Sequence, residues 1–276
     1  MNQPATVAAT SRRDSTGALR RQNVLLGVDG VTLQYPSGDD LVTATWRVSF
    51  NVQHMDRFIL LGPSGCGKSS LLKAVAGFIQ PTEGTIHVRG AIVQKPGPDR
   101  MMVFQEFDQL FPWRTVLENV MFPMTARQSW SLHDRRDRAL ASIEKVGLAK
   151  SADSYPHQLS GGMKQRAAIA RAMAMEPDVL LMDEPFAALD ALTRRRLQDE
   201  LLKLWDELKF TMLFVTHGID EATRIGSRIL VLSPHPGQVR AELSCPDRWG
   251  VDERKVLEQQ ITDMLLESKE SAHEQH

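Results

Sequence analysis

Leu60-Leu61-Gly62-Pro63-Ser64-Gly65-Cys66-Gly67-Lys68-Ser69-Ser70 is the stretch that decides the fold, because it predicts a phosphate-binding loop between a strand and a helix. It matches the pattern G-x-x-x-x-G-K-[ST] from Gly62 to Ser69. The apolar run 58–61 is typical of a buried strand, and residues 70–76 have helix formers at helical spacing. This setting favours a phosphate loop over a chance Gly/Ser turn that ends in an exposed lysine.

The residue types in the loop suit the chemistry of phosphate binding. Glycines permit positive φ and bring backbone N–H groups against phosphate oxygens, while the following helix adds about half a positive charge at its N-terminus. Lys68 supplies an ammonium for the β- and γ-phosphates, and the Ser69 hydroxyl is a candidate Mg²⁺ ligand. Cys66 is either a redox switch above the nucleotide or, more commonly for such a residue, a small filler in a tight loop. The candidate nucleotide-binding residues here are Gly62, Pro63, Ser64, Gly65, Cys66, Gly67, Lys68, Ser69 and Ser70.

Size and composition narrow the class of protein. The 276 residues can bury a full core, as one large domain or as a core with a subdomain. A charged fraction of 24% and a net charge of −1 give no general attraction to nucleic acid or to anionic membranes. The 2 cysteines argue against a disulfide framework and favour a reducing cytosol. No apolar run approaches the ~18–20 residues that cross a bilayer, so a membrane role requires a spanning partner.

The two ends of the sequence differ from its centre. Residues 1–23 hold four arginines and one acid. We interpret them as a disordered tail, although a transit peptide has a similar bias, and the absence of an apolar stretch after them excludes a secretory signal. Residues 246–276 predict a C-terminal helical extension whose apolar side packs on the core rather than on a membrane.

Two stretches ahead of the loop, 24–33 and 43–52, predict strands of an antiparallel layer separated by a turn-rich segment at 35–40. Tyr35 in that segment could stack on adenine, a contact worth about 1–3 kcal/mol by analogy with base–aromatic stacking. A lone aromatic residue more often packs in the core or on the surface, so both interpretations of Tyr35 stay open.

The middle of the chain changes from strands to helices. The apolar stretch Met101–Glu106 predicts a strand that includes Gln105, and residues 107 to about 165 follow helical patterns that indicate an inserted α-helical subdomain. This insertion closes on Leu159-Ser160-Gly161-Gly162-Met163, which precedes an alanine-rich helix. Ser160 lies where an N-cap belongs, and the paired glycines leave bare backbone there. The segment is therefore either a second anion site or a plain helix cap.

Three polar residues follow predicted buried strands. The stretch 179–185 predicts an apolar strand that ends in Asp183 and Glu184, at the strand end where α/β folds bind ligands. Asp183 is a candidate Mg²⁺ ligand through water, and Glu184 a candidate for orienting or deprotonating an attacking water, unless both are structural. His217 follows the strand 211–216 and can donate a hydrogen bond to a γ-phosphate. Residues 228–232 predict the last strand.

Taken together, these motifs resemble the nucleotide-binding subunit of an ATP-binding cassette (ABC) transporter. The resemblance runs from about Val24 to Arg240, and the LSGG element at 159–162 is specific to that family. The sequence Phe-Pro-Trp-Arg-Thr-Val at 111–116 is similar to importers of nitrate, taurine and alkanesulfonates. The positions that carry the resemblance are Gly62–Ser69, Gln105, Leu159–Met163, Asp183, Glu184, Asp190 and His217.

The resemblance implies an α/β fold: a P-loop ATPase core with an antiparallel β layer and the helical subdomain, together spanning 24–245, with ATP and Mg²⁺ as cofactors. It implies a homodimer paired head to tail, so that each ATP lies between Lys68 of one copy and Ser160, Gly161 and Gly162 of the other. The implied roles of single residues are adenine stacking for Tyr35, contact with Mg²⁺ or water and a link to the membrane subunit for Gln105, a place at the dimer seam for Asp190, and a γ-phosphate contact for His217.

The implied function is ATP hydrolysis that energises import of a small anionic solute through a separate transmembrane permease, at the cytoplasmic face of the inner membrane. A solute-binding protein would deliver the solute. One alternative is an importer ATPase for another solute, such as a thiamine-precursor pyrimidine. Another is a soluble cassette ATPase acting on nucleic acid, but that class usually has long coiled-coil insertions or two cassettes per chain, so nucleic acid is not expected as a partner. A non-hydrolysing ATP sensor predicts loss of Glu184 or His217, and both are present.

Overall fold

Two β-sheets with helices packed against them make up the frame of the chain. The computed structural model describes residues 24–38, 40–104, 109–127, 129–246 and 249–273. The predicted tail at 1–23 and Gln105 lie outside the described residues. Among the described residues, no helix combines the length and hydropathy required to cross a bilayer.

The elements follow one another in the order that the sequence predicts, with a few additions. The strands are β1 (Val24–Ser37), β2 (Asp40–Gln53), β3 (Arg57–Leu61), β4 (Glu83–Val88), β5 (Ala91–Ile92), β6 (Arg100–Val103), β7 (Val179–Asp183), β8 (Thr211–Thr216), β9 (Arg228–Leu232) and β10 (Val239–Ser244). The helices are α1 (Lys68–Ala76), α2 (Val116–Met121), α3 (Leu132–Lys145), α4 (Gly161–Met173), α5 (Ala191–Leu208), α6 (Ile219–Ile225) and α7 (Val251–His273). Short 3₁₀ turns lie at Phe122–Ala126, Ala149–Ser151 and Pro156–Gln158.

The first sheet is the predicted antiparallel layer, with the strand order β2-β1-β4-β5. Its two long strands extend further than the sequence predicts, because Pro36 pairs with Leu41 and Ser37 pairs with Asp40. The predicted turn at 35–40 is therefore mostly paired strand, tightened at Gly38, whose φ is +64°. Proline is tolerated there because this end of the hairpin has no further strand beside it that would need its N–H group.

The second sheet has the order β10-β9-β3-β8-β7-β6 and is parallel except for β10. The strands β3, β7 and β8 are buried along their whole length. The prediction that 228–232 is the last strand was wrong, because β10 pairs with β9 at the sheet edge. Residues along β10 are exposed or half-buried, so the strand lacks the apolar run by which the others could be recognised.

Alternate residues of the parallel strands enter two separate cores, as the two-residue period of a strand requires. Phe58 and Leu60 join a core with α1 and the first sheet, whereas Ile59 and Leu61 join a core with the other helices. The parallel sheet is thus covered on both faces, as is usual for parallel strands.

The predicted helical insertion is a group of short capped helices. α2 begins at a capping box between Thr115 and Glu118, and α3 begins at a second one between Ser131 and Asp134. These helices pack against α4, and their apolar sides share the same core. The predicted C-terminal helix is α7, where Leu257 and Ile261 are buried against that core. The sequence did not predict α6, whose seven residues are too few for a clear helical period.

Candidate functional site

The phosphate loop joins β3 to α1, as its motif predicts. Gly67 has a φ of +90°, and a β-carbon there would approach Ala44 O and Thr45 Cγ2 to 2.6 Å, so glycine is required on both counts. Lys68 is 4% exposed, and its ammonium donates to the carbonyl oxygens of Gly62 and Pro63 at 2.9 Å each. The loop therefore holds its own lysine at the centre of the predicted phosphate site.

A turn near the end of the chain supports the loop from behind. Gly237 donates its N–H to Ala44 O at 3.0 Å and accepts from the N–H of Trp46 at 2.9 Å. A β-carbon at Gly237 would lie 2.1 Å from the carbonyl oxygen of Cys66. Cys66 is itself buried, and burial raises the pKa of its thiol against the opposing charge of Lys68. A neutral, buried thiol suits the filler interpretation of Cys66 better than the redox one.

The first helix and β7 bring two candidate oxygen ligands together. Ser69 Oγ donates to Asp183 Oδ1 at 2.8 Å, and Asp183 is 7% exposed at the end of its strand. Burial raises the pKa of Asp183, and the Ser69 hydrogen bond opposes that rise. Within the part of the chain that the structure describes, no group of three or more His, Cys, Asp or Glu side chains could hold a metal ion by itself. The two oxygens of the Ser69–Asp183 pair fit Mg²⁺, which binds few protein oxygens and completes its shell with water and phosphate.

Glu184 and His217 form a hydrogen-bonded pair beside these ligands. Glu184 has a φ of +42°, and its N–H donates to Val215 O at 3.0 Å. A left-handed glutamate is uncommon, and such conformations concentrate at functional sites. His217 Nδ1 lies 2.8 Å from Glu184 Oε2, with the imidazole more than half exposed and the carboxylate mostly shielded.

The second predicted anion site is the start of α4. Ser160 caps this helix, since its Oγ accepts from the N–H of Met163 at 3.3 Å, and the serine is exposed. A β-carbon at Gly162 would meet Thr193 Cγ2 at 3.4 Å. Asp190 caps α5 by accepting from Thr193 N–H at 3.0 Å, and this hydrogen bond holds the pKa of its carboxyl below the ordinary range. The structure therefore places Ser160 and Asp190 on the surface at neighbouring helix starts.

Some predicted residues stand apart from this centre, and others were missed. Tyr35 is half-buried at the far end of β1, and its hydroxyl is buried without a hydrogen-bond partner. Gln105 lies outside the described residues. The sequence analysis missed Thr216 and Glu221, buried polar residues behind His217. A threonine within a strand and a glutamate in a very short helix carry no local signal of a shared contact.

The groups at the site lie at the carboxyl ends of three adjacent strands, β3, β8 and β7. Ligands of open α/β sheets bind at this edge. The arrangement offers a cation and backbone amides for a phosphate chain, two oxygens for a metal ion, and a carboxylate–imidazole pair for a water molecule. Such a set is suited to cleaving a phosphoanhydride with water.

Comparisons with known proteins agree with this geometry. The family model described as "ABC transporter" matches residues 46–187. A taurine import ATP-binding protein of Rhizobium johnstonii is 46% identical over 72% of this chain and 76% of its own length. A bicarbonate transport ATP-binding protein of Synechocystis sp. is 42% identical over 80% of this chain and 79% of its own. A nitrate import ATP-binding protein of Synechococcus elongatus is 42% identical over 79% of this chain and 80% of its own.

A solved structure is similar as well. It is the dimeric structure of a post-hydrolysis state of an ATP-binding cassette bound to ADP and Pi. Its TM-score is 0.70 at 34% identity, and the match covers 80% of this chain and 99% of that one.

Proposed function

This chain belongs to the ATP-binding cassette transporter family, and from that premise we propose that it hydrolyses ATP to energise import of a small anionic solute through a separate transmembrane permease. The observation that carries the proposal is the Glu184–His217 pair, 2.8 Å apart beside the Ser69–Asp183 pair. Hydrolysis needs both a place for the phosphate chain and a group for the water. A protein that merely senses ATP needs only the first.

The phosphate loop holds the triphosphate through its backbone N–H groups and Lys68. The lysine exchanges its hydrogen bonds with the carbonyl oxygens of Gly62 and Pro63 for phosphate oxygens when ATP enters. Ser69 and, through water, Asp183 would hold Mg²⁺, with Gln105 as a further ligand, and the ion would neutralise charge on the phosphates. Tyr35 stacks on the adenine. The Ser69–Asp183 hydrogen bond of 2.8 Å supports this assignment, because it brings two oxygen-bearing side chains together at the end of β7.

Glu184 orients the attacking water and accepts its proton, while His217 donates a hydrogen bond to the γ-phosphate. A neutral imidazole has one N–H group, so His217 gives up its hydrogen bond with Glu184 when it donates to the γ-phosphate. The 2.8 Å contact holds the two side chains next to each other until ATP arrives. Asp183 and Glu184 are neighbours in sequence but their side chains have different partners. Asp183 accepts from Ser69, whereas Glu184, with its positive φ, contacts His217.

A second copy of the chain completes each site. Ser160, Gly161 and Gly162 are exposed or half-buried at the start of a helix of 13 residues whose first turn holds no acidic residue, a position that suits an anion. Head-to-tail pairing places this helix start on the γ-phosphate of the partner, with Asp190 at the seam. The dimeric form of the similar solved structure supports this pairing.

The helical region, about 107–165 within a nucleotide-binding domain of 24–245, docks the permease at the cytoplasmic face of the inner membrane. Its surface carries aromatic side chains, among them Trp113 at 70% exposure and Phe122. Exposed aromatic residues of this kind are typical of protein contacts. The solute carries an oxyanion group, as bicarbonate, nitrate and taurine do in the names of the relatives. A solute-binding protein acts on the permease rather than on this chain, and no nucleic acid is involved.

The substitution Glu184→Gln tests the proposal. It keeps the size of the side chain and removes the base, so ATP binding should persist while turnover falls by about 10²-fold or more. ATP affinity and phosphate release are measured on the same preparation, with Glu144→Gln on the exposed side of α3 as the matched control. Unchanged hydrolysis in Glu184→Gln would exclude Glu184 as the base.

A further inference from the structure

A buried polar cluster lies directly behind His217 and consists of Gln198, Thr216 and Glu221. Glu221, on α6, is 8% exposed. Its Oε1 accepts from Gln198 Nε2 at 2.9 Å, and its Oε2 accepts from Thr216 Oγ1 at 2.5 Å. One carboxylate therefore bonds at the same time to α5 and to the last residue of β8.

The bond to Thr216 reaches the backbone on both sides of His217. A hydroxyl has one hydrogen, and Thr216 gives it to Glu221, which leaves its lone pairs free to accept. The N–H of Gly218 donates to this oxygen at 3.0 Å. The residues before and after His217 are thus tied to one oxygen atom, and the orientation of that hydroxyl depends on Glu221.

The bond to Gln198 reaches the segment that follows Glu184. Gln198 lies on α5, and Arg194, one turn earlier, donates to the carbonyl oxygens of Leu189 at 3.0 Å and Ala187 at 3.4 Å. Burial raises the pKa of Glu221, and its two hydrogen bonds and the charge of Arg194 oppose that rise. Helix α5 is therefore hydrogen-bonded to segment 187–190 through Arg194 and to Glu221 through Gln198, and Glu221 is hydrogen-bonded to the residue before His217.

Burial of the Glu221 carboxylate costs hydration free energy. An apolar residue of similar volume would pack the same position without losing hydration, so packing alone does not explain Glu221. A carboxylate differs from an apolar side chain in that its hydrogen bonds fix the orientation of the donors that face it. Of its two donors, Thr216 ends the strand that precedes His217, and Gln198 lies on the helix that follows segment 187–190.

We propose that Glu221 is a positioning residue that holds His217 in register with Glu184 and couples it to segment 187–190. This inference rests on the proposed role of His217. The cluster sets the place of the imidazole, while Glu184 and His217 themselves meet water and phosphate. Movement of segment 187–190 when two copies close is passed through α5 to Glu221 and so to the histidine.

The test compares Thr216→Val, which keeps the shape and removes the hydroxyl, with Thr216→Ser, which restores the hydroxyl. Thr223→Val is the matched control. Thr223 is also a buried threonine, it lies on α6 with Glu221, and its hydroxyl donates to Glu258 of α7 at 2.8 Å. We expect Thr216→Val to lower kcat about tenfold with KM for ATP changed less than about twofold. Thr216→Ser and Thr223→Val should keep kcat within about twofold of the wild type.

A second readout follows His217 itself and does not depend on hydrolysis. The chain has 8 histidines, so ¹⁵N-histidine labelling gives a small set of imidazole signals, and the His217→Gln chain identifies the one from His217. Thr216→Val should shift or broaden that signal, whereas Thr223→Val should leave it in place. Glu221→Gln should act in the same direction and serves if Thr216→Val does not fold.

The outcomes separate this inference from the proposed function. If kcat falls in Thr216→Val and the His217 signal stays unchanged, or if neither changes, positioning through Glu221 is wrong. If the signal moves in Thr216→Val while His217→Gln hydrolyses ATP normally, the positioning holds and the proposed role of His217 fails. A loss of kcat in Thr223→Val as large as in Thr216→Val would also overturn the inference, since it would make the effect one of general stability.

Discussion

At the scale of single residues, the buried ammonium of Lys68 is held in place by the loop before any phosphate binds. Its ammonium is almost wholly shielded from water, yet two loop carbonyls accept from it. Partial charges of carbonyls compensate the cation without neutralising it, so an arriving phosphate gains more from the ammonium than these carbonyls lose. The site can therefore stay folded without nucleotide and still attract a triphosphate.

Cys66 gives a prediction at this scale. The thiolate is the reactive form, and burial raises the thiol pKa, so at neutral pH the folded chain holds less thiolate than an exposed cysteine does. We expect iodoacetamide to modify Cys66 at least about 100-fold more slowly in the folded chain than in urea, with reactivity rising as the pH approaches the raised pKa.

Peptide mass spectrometry after timed quenching measures this rate, and Cys245, buried elsewhere, is the internal reference. Peroxide should likewise leave ATP hydrolysis of the folded chain unaffected. Rapid labelling of Cys66 without denaturant would instead favour the redox interpretation.

Single residues could be predicted where chemistry and spacing coincide. Gly62 to Ser69 form a contiguous motif, and Asp183 and His217 each follow an apolar run that marks a strand end. Glu221 could not be found in this way, because its partner Gln198 is 23 residues away and on another helix. Nothing in either local sequence indicates that the two side chains meet.

At the scale of elements, the capping box of α3 is a separable contribution to stability. Ser131 Oγ accepts from Asp134 N–H at 3.1 Å, and Asp134 Oδ2 accepts from Ser131 N–H at 3.0 Å. We expect Ser131→Ala to lower the free energy of unfolding by about 1 kcal/mol without changing ATP affinity. Urea unfolding measures this, with Ser142→Ala in the last turn of the same helix as the control that should lose nothing.

The same box predicts a pH dependence. The hydrogen bonds from the Ser131 side chain and backbone hold the pKa of Asp134 below its ordinary range. A carboxyl whose folded pKa is depressed stabilises the protein above its unfolded pKa, and that stability is lost as the pH falls through the folded value. The difference between wild type and Ser131→Ala should thus be constant from pH 8 to about pH 5 and shrink below about pH 4. A constant difference in acid would show that Asp134 takes no part.

Elements were predictable in proportion to their burial. The fully buried strands β3, β7 and β8 gave apolar runs, and their bounds in the structure agree closely with the runs. The edge strand β10 and the paired end of the first hairpin gave none, because edges carry polar or mixed residues. Such strands form because their backbones pair with a neighbouring strand, and that pairing cannot be recognised from their own residues.

At the scale of the whole molecule, the proposed head-to-tail pairing gives each chain one half of each of two ATP sites. In that proposal the phosphate loop of one copy and the start of α4 of the other both contact one triphosphate when the dimer closes. We expect Ser160→Arg to preserve ATP binding by the monomer and to abolish hydrolysis, because its side chain would occupy the seam.

The sharpest measurement uses the Glu184→Gln background, where ATP should trap a dimer detectable by sedimentation. Adding Ser160→Arg should leave that chain monomeric in ATP, while adding Ser129→Arg, on an exposed turn of the same helical region, should not. A stable ATP-dependent dimer of the Ser160→Arg chain would argue against head-to-tail pairing.

The position of β3 in its sheet has a consequence for how the protein is made. Its two neighbours are β8 and β9, and the turn that supports the phosphate loop lies at Gly237, about 170 residues after Lys68. A ribosome that adds about 5–20 residues per second needs on the order of ten seconds or more to reach them. During that interval the nascent chain carries the complete loop motif with no strand beside it. The phosphate loop is therefore synthesised early but takes shape late, and ATP can stabilise the fold only once nearly the whole cassette has left the ribosome.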